Sequence, residues 1–317
     1  MEKKLKYNSS LLQPVRLFQN LFDQPYLLLV LATLFWSGNF VLGRAVRADV
    51  PPIGLAFWRW CGGSILVMGF AWPYLKRDWG LIRQHWKIVL LLSILGVASF
   101  NTLIYTGLQF TTAINALLMQ SAMPVLIVLM SYLFFREIVS AVQGVGILLS
   151  LVGVLAIIGQ GRLEVLTSLS LNLGDLLVFI AVALYAAYSA LLRQRPPIHP
   201  LSFIAATFIA GAVILLPFYL WENATGRVMS VDGVTLLTVG YVAIFPSILA
   251  YLFYNRGVEL AGANRAGLFV HLMPVFGSIM AILFLGERFG WFHGVGILLI
   301  LGGILLATRS QPHPRKE

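Results

Sequence analysis

The chain has 317 residues, of which 59% are hydrophobic and 11% charged, with a formal net charge of +10. Soluble domains carry about 25% charged residues, so this composition excludes one and requires a chain embedded in lipid. The basic excess does not indicate nucleic acid, because the Lys and Arg residues fall in short connections between apolar runs and act there as topology signals.

A helix that crosses a bilayer needs about 20 apolar residues, and ten such runs follow one another. A polar, basic tail at 1–24 precedes the first run at 25–46, which ends at Arg44 to Arg47 without a small-residue cleavage site. It is expected to stay as a span rather than to be removed as a leader. Runs two to five occupy 53–73, 87–108, 112–134 and 140–159. A linker at 160–172 leads to runs at 173–192, 201–221, 234–254, 265–285 and 291–308, followed by a tail at 309–317. The connections are short, so neighbouring spans are antiparallel and no soluble domain is expected. With the amino terminus inside, Lys76, Arg77, Arg83, Lys87, Arg136, Arg193, Arg195, Arg256 and Arg265 are also inside, and only Arg44, Arg47, Arg162, Arg227 and Arg288 are outside. That asymmetry predicts a multi-pass protein of the cytoplasmic (inner) membrane, with both tails cytoplasmic and the linker external.

Residues Asn115 to Ile157 recur without a gap at Arg265 to Ala307, displaced by 274 − 124 = 150. Met123-Pro124-Val125 meets Met273-Pro274-Val275, Glu137 meets Glu287, and Gly144-Val145-Gly146 meets Gly294-Val295-Gly296. Shared hydrophobicity would repeat composition but not the Pro, Glu and Gly positions, so the chain is a duplicated unit. The first repeat is 25–159 and the second 173–308. Five is an odd number of spans, so the second copy lies upside down relative to the first. The expected fold is therefore an all-α integral membrane protein, ten transmembrane helices as an inverted repeat of five plus five, an arrangement typical of secondary transporters.

Several stretches carry a family resemblance: Leu34-Phe35-Trp36-Ser37 to Asn39-Phe40, Phe57-Trp58-Arg59, and Gly107 to Met123-Pro124 leading to Glu137. The second half adds Gly174-Asp175, Leu272-Met273-Pro274 and Leu285-Gly286-Glu287-Arg288. With these the chain resembles the drug/metabolite transporter superfamily, specifically its ten-span EamA-type members, over nearly its whole length. The resemblance implies a cytoplasmic-membrane exporter or permease of small metabolites, without saying which.

Candidate functional residues follow from polar and aromatic groups placed at mid-depth, where each needs a partner. Trp36, Asn39, Phe40 and Gly43 share one face of the first span. A shift of 149 maps Trp36, Asn39 and Phe40 onto Tyr185, Tyr188 and Ser189 in the sixth. Asn101 and Tyr105 share a face of the third span, and Ser247, Tyr251 and Tyr254 a stripe of the eighth. These faces are expected to line a central space, the alternative being interhelical hydrogen bonding with no substrate. His271 lies deep in the ninth span and is a candidate for proton coupling or for a neutral, hydrogen-bonded role. Pro124, Pro246 and Pro274 each remove a backbone hydrogen bond and are candidate bends or hinges. Gly286, Gly290 and Gly294, with Gly144 in the first repeat, form stripes expected to pack against another helix. Arg59, near the outer end of the second span, could attract a carboxylate or phosphate or snorkel to the interface and pin the helix, and its position favours the second. Arg44, Glu137, Asp175 and Glu287 sit at span ends, where capping and interfacial pairing are expected. The single cysteine, Cys61, reads as a buried bystander.

No carboxylate lies at mid-span, which argues against a permanent cation as solute. No Gly-rich loop precedes a Lys, so ATP is not expected as the energy source. The expected function is a secondary transporter of a small polar metabolite, an amino acid or a related compound, working by alternating access around a midplane cavity. Alternatives are a nucleobase, organic-acid or drug permease of the same fold, or an intramembrane lipid-modifying enzyme, for which no catalytic motif is found. The expected partners are the solute and the bilayer, with no nucleic acid, cofactor or metal, and a single chain as the unit.

Overall fold

The computed structural model describes residues 22–46, 50–167, 171–285 and 288–309. Gly286, Glu287 and the side chains of Phe40 and Arg44 lie outside the described residues. Helices occupy all ten expected places, and no strand occurs among the described residues. Span one is Pro25–Ala45, span two Pro52–Gln84, span three Trp86–Phe110, span five Ala141–Ile158 and span six Leu173–Leu191. Span seven is Pro200–Ala224, span eight Gly233–Ala261 and span ten Trp291–Arg309.

Spans four and nine are broken at matching places. Span four runs as Ala113–Gln120 and then Met123–Phe135, with Pro124 in the first turn of the second piece. Span nine runs as Ala263–Leu268, a 3-10 turn at Phe269–His271, and Leu272–Leu285. A proline near a helix start loses no intrahelical donor, so each lies just after a break.

Orphan backbone groups at helix ends are costly near lipid, and the sequence supplies caps for them. The side chains of Thr112, Ser140 and Asp232 accept from the backbone N–H of Asn115, Gln143 and Thr235. Asn172 and Asp175 form a reciprocal capping box. The start of span two has no cap of its own; Glu222, from the end of span seven, accepts from the N–H of Ile53 and Gly54 at 3.2 and 2.6 Å. Glu137, at the end of span four, pairs with Arg193 at 3.0 Å and accepts from Asn264.

Spans three and eight also change local winding at the same place. Each contains a π-helical turn, Ser93–Ser99 in one and Ile244–Leu249 in the other. Such turns free backbone carbonyls from the helical ladder.

The packing shows how the halves are related. A Cβ at Gly146 would lie 2.6 Å from the Gly303 carbonyl oxygen, and one at Gly153 would lie 2.7 Å from the Gly296 carbonyl oxygen. Only glycines let spans five and ten approach this closely. Because 146 and 153 correspond to 296 and 303 in the second repeat, each contact is the other with the copies exchanged. The same exchange relates Gly107 against Val178 to Gly257 against Leu29. Reciprocal contacts of this kind require a two-fold relation between the repeats.

This packing corrects the glycine stripe read from the sequence. Gly144 faces open space, and a Cβ at Gly294 would meet only Phe289, at 3.9 Å; a Cβ at Gly290 would meet the neighbouring Phe292 rather than another helix. The contact belongs to the face two residues further on. Cys61, expected buried, is half-buried.

Candidate functional site

Two pairs of repeat-equivalent residues touch one another, and so mark the two-fold axis. Trp36 meets Tyr185 edge to face, with ring centroids 5.6 Å apart. His271 Nε2 lies 2.9 Å from the carbonyl oxygen of Ser121. Beside the first of these contacts is a small cavity of about 10 Å³ among buried residues, room for roughly one water. Trp36, Tyr185, Tyr251 and Phe100 supply its rings, and Asn39, Arg59, Asn101, Gln120 and Met123 complete it.

The rings are held by the carbonyls that the π-helical turns release. Trp36 Nε1 donates to the Pro246 carbonyl at 3.1 Å, and the Tyr251 hydroxyl donates to the Gly96 carbonyl. Positions 96 and 246 are equivalent in the two repeats, so each half presents one carbonyl to an aromatic donor.

Arg59 is the charged group of the site. Its side chain is 1% exposed and lies over the Trp60 ring at 4.8 Å. Nε donates to Ser247 Oγ at 2.6 Å, Nη1 to Asn39 Oδ1 at 2.9 Å and to the Tyr105 hydroxyl at 2.8 Å, and Nη2 to the Pro246 carbonyl at 2.8 Å. Tyr105 in turn donates to Asn39 Oδ1 at 2.7 Å, and Ser247 to the Val242 carbonyl at 2.6 Å. Every acceptor is neutral, and among the described residues no carboxylate lies within 4.0 Å of the guanidinium. The snorkelling expected from sequence is therefore corrected: the side chain turns inward, because Ser247 and Pro246 on span eight offer acceptors at mid-depth.

Set against known proteins, the chain matches the model of the EamA-like transporter family twice, over residues 24–159 and 172–309. The chain belongs to the EamA-like transporter family. The uncharacterized transporter YyaM of Bacillus subtilis is 27% identical over 286 residues, covering 89% of this chain and 93% of that one. The S-adenosylmethionine/S-adenosylhomocysteine transporter of Chlamydia muridarum is 26% identical over 305 residues, covering 93% and 94%. A solved crystal structure, 21% identical with a TM-score of 0.73, covers 90% of this chain and 96% of its own, and shares the fold.

Within this EamA-type frame the residues singled out from sequence fall in different places. Trp36, Asn39, Asn101, Tyr185 and Tyr251 line the cavity. Tyr105 and Ser247 stand one bond behind it, on Arg59. Tyr188 and Tyr254 are buried against the other rings but bond elsewhere: Tyr188 donates to Asn255 Oδ1 at 2.9 Å, and the Tyr254 hydroxyl lies 2.8 Å from Ser189 Oγ. His271 lines a neighbouring small cavity with Ser121, Met273 and Pro274, and its Nδ1 lies 2.7 Å from Ser150 Oγ on span five. Both ring nitrogens thus have partners. Pro246 lies in the π-helical turn of span eight.

Sequence reasoning passed over Phe100, Gln120 and Met123, and misplaced Arg59. Gln120 carried a signal, as an amide in the middle of an apolar run. Its Oε1, together with Asn101 Nδ2 and the Tyr185 hydroxyl, makes no hydrogen bond of ordinary length although each atom is buried.

Proposed function

We propose that this EamA-type protein is a secondary transporter in the cytoplasmic membrane, with both tails in the cytoplasm, that moves a small polar metabolite by alternating access. An amino acid or a compound built on one is the favoured class. The observation that carries the reading is the small, ring-lined cavity beside the contact of the equivalent Trp36 and Tyr185, bordered by buried polar atoms that make no hydrogen bond of ordinary length. Two similar halves around one site can exchange arrangements and open it to either face in turn. The cavity has room for about one water. The solute therefore binds with the halves apart. Both compounds in the name of the Chlamydia relative are built on an amino acid, but one of them is a sulfonium cation, a class that the lack of mid-span carboxylates disfavours in this chain. The solute's own gradient or a coupled ion would drive the movement, with one chain sufficient.

Counterflow of labelled amino acids, organic acids and nucleobases in proteoliposomes tests this. Wild-type protein is expected to exchange at least one of the amino acids, and Trp36→Ala and Tyr251→Ala to lower the rate by tenfold or more while eluting as folded protein. Absence of exchange for every compound would rule out the transport reading, and unchanged rates in both variants would remove the assignment of the rings.

A further inference from the structure

Arg59 poses a problem that transport of a neutral solute leaves open. A guanidinium has five N–H groups, and four of them donate to neutral acceptors. The remaining N–H is on Nη2, and Arg59 borders the cavity. Withdrawing such a charge from water costs several kcal/mol, and neutral dipoles offset this only in part. A neutral donor would satisfy some of the same acceptors without that cost. The cavity also borders a second donor, Asn101 Nδ2, which makes no hydrogen bond of ordinary length and has the Tyr251 hydroxyl as its nearest partner. Two residues with donors, one of them charged, line a space from which carboxylates are absent among the described residues. Charge in a low-dielectric cleft acts at its greatest strength.

We infer that the solute carries an anionic group, a carboxylate or a phosphate, which binds to the free Nη2 hydrogen of Arg59 and to Asn101 Nδ2, with an apolar or aromatic body packed among Trp36, Tyr185 and Tyr251. This rests on the transport reading and narrows it: the anionic group neutralises Arg59, so the site is electrically balanced only when loaded. Loading is then favoured, because an ion pair offsets the cost of the buried charge better than the neutral acceptors that otherwise hold Arg59.

Matched acid and amide pairs test the inference directly. Purified wild-type protein is titrated with N-acetyl-L-phenylalanine and N-acetyl-L-phenylalaninamide, with 3-phenylpropionate and 3-phenylpropionamide, and, as the phosphate arm, with phenyl phosphate and phenol. Thermal unfolding in detergent and competition in proteoliposomes are the readouts. At least one acid is expected to bind tenfold or more tightly than its neutral partner, and the arm in which this occurs identifies carboxylate or phosphate. Arg59→Gln is expected to abolish the preference, and Arg59→Lys to keep part of it. The wild-type comparison stands by itself should Arg59→Gln fail to fold. Equal binding of acids and their neutral partners overturns the inference, as does failure of every acid to bind. Flux of neutral solutes that persists unchanged in Arg59→Gln overturns it while leaving transport intact. Binding of acids through Arg59 with no flux of any compound overturns the transport reading and leaves the anion site standing.

Discussion

Asn39 and Tyr188 stand at equivalent places in the two repeats, and so do Tyr105 and Asn255. Each half therefore makes the same Tyr–Asn bond with the residue types exchanged, Tyr105 to Asn39 at 2.7 Å and Tyr188 to Asn255 at 2.9 Å. Tyr105 lies near the end of span three remote from the tails, and Tyr188 near the end of span six on the same side as the tails. The two bonds thus tie opposite ends of the bundle shut. Each is worth about 1 kcal/mol, or about fivefold in the population of the opened end. Asn101 lines the cavity, so in a Cys61→Ser background, labelling of Asn101→Cys by an impermeant thiol reagent reads which end is open. Tyr105→Phe is expected to raise labelling from the face remote from the tails about fivefold, and Tyr188→Phe to do the same from the opposite face. Equal effects on both faces would reduce the bonds to general core packing. The polar faces that carry these residues were legible from helical spacing alone. Arg59 was not, because its direction is set by acceptors on span eight, more than 180 residues away in the chain.

At the scale of elements, apolar run length located the spans well, since in lipid every backbone group must be satisfied within its own helix. It underestimated span two, which continues to Gln84, and span eight, which continues to Ala261. Both continue as helix beyond the apolar run, through Lys76, Arg77 and Asp78 in one and Asn255 to Glu259 in the other. The π-helical turns left no mark in the sequence, though Pro246 fell within one of them. The glycine stripe showed that spans five and ten have a packing face but not which face, because two glycine registers two residues apart occur in the same run. Gly146→Ala and Gly144→Ala separate the registers. A methyl at Gly146 would meet backbone atoms of Gly303 and Ala307, which cannot swing aside as a side chain can. Overpacking of this kind costs about 1–3 kcal/mol. Gly146→Ala is therefore expected to lower the thermal unfolding midpoint in detergent. Gly144→Ala, which meets nothing within 4 Å, is expected to hold or raise it through better helix propensity. The reverse order would restore the register first read from the sequence.

At the scale of the whole molecule the two ends of the bundle differ in chemistry although the repeats are alike. The ion pairs Arg77–Asp78, Arg193–Glu137, Arg195–Glu259, Arg256–Asp23 and Arg256–Glu259 all lie at the end that carries the tails. At the opposite end the described carboxylates accept instead from hydroxyl, amide and backbone donors, as Asp175 does from Thr111 and Asn115 and Glu222 does from the start of span two. An inverted repeat predicts equal halves, but the excess of Lys and Arg falls at one end, and there it supplies partners for acids. Glu259 is central, since Arg195 reaches it at 2.7 Å and Arg256 at 3.0 Å, and Arg256 also holds Asp23 beside span one. These side chains are partly exposed, so each pair contributes only about 0–1 kcal/mol, and that contribution is screened by salt. Glu259→Gln is therefore expected to raise labelling of Asn101→Cys from the tail-bearing face by about two- to fivefold at low ionic strength. The difference from the parent should shrink as salt is added, because salt weakens the clamp in the parent but has none to weaken in the variant. A salt-independent increase would mean that Glu259 acts through packing, and no increase would mean that this end is held shut by Tyr188 and the glycine seam alone.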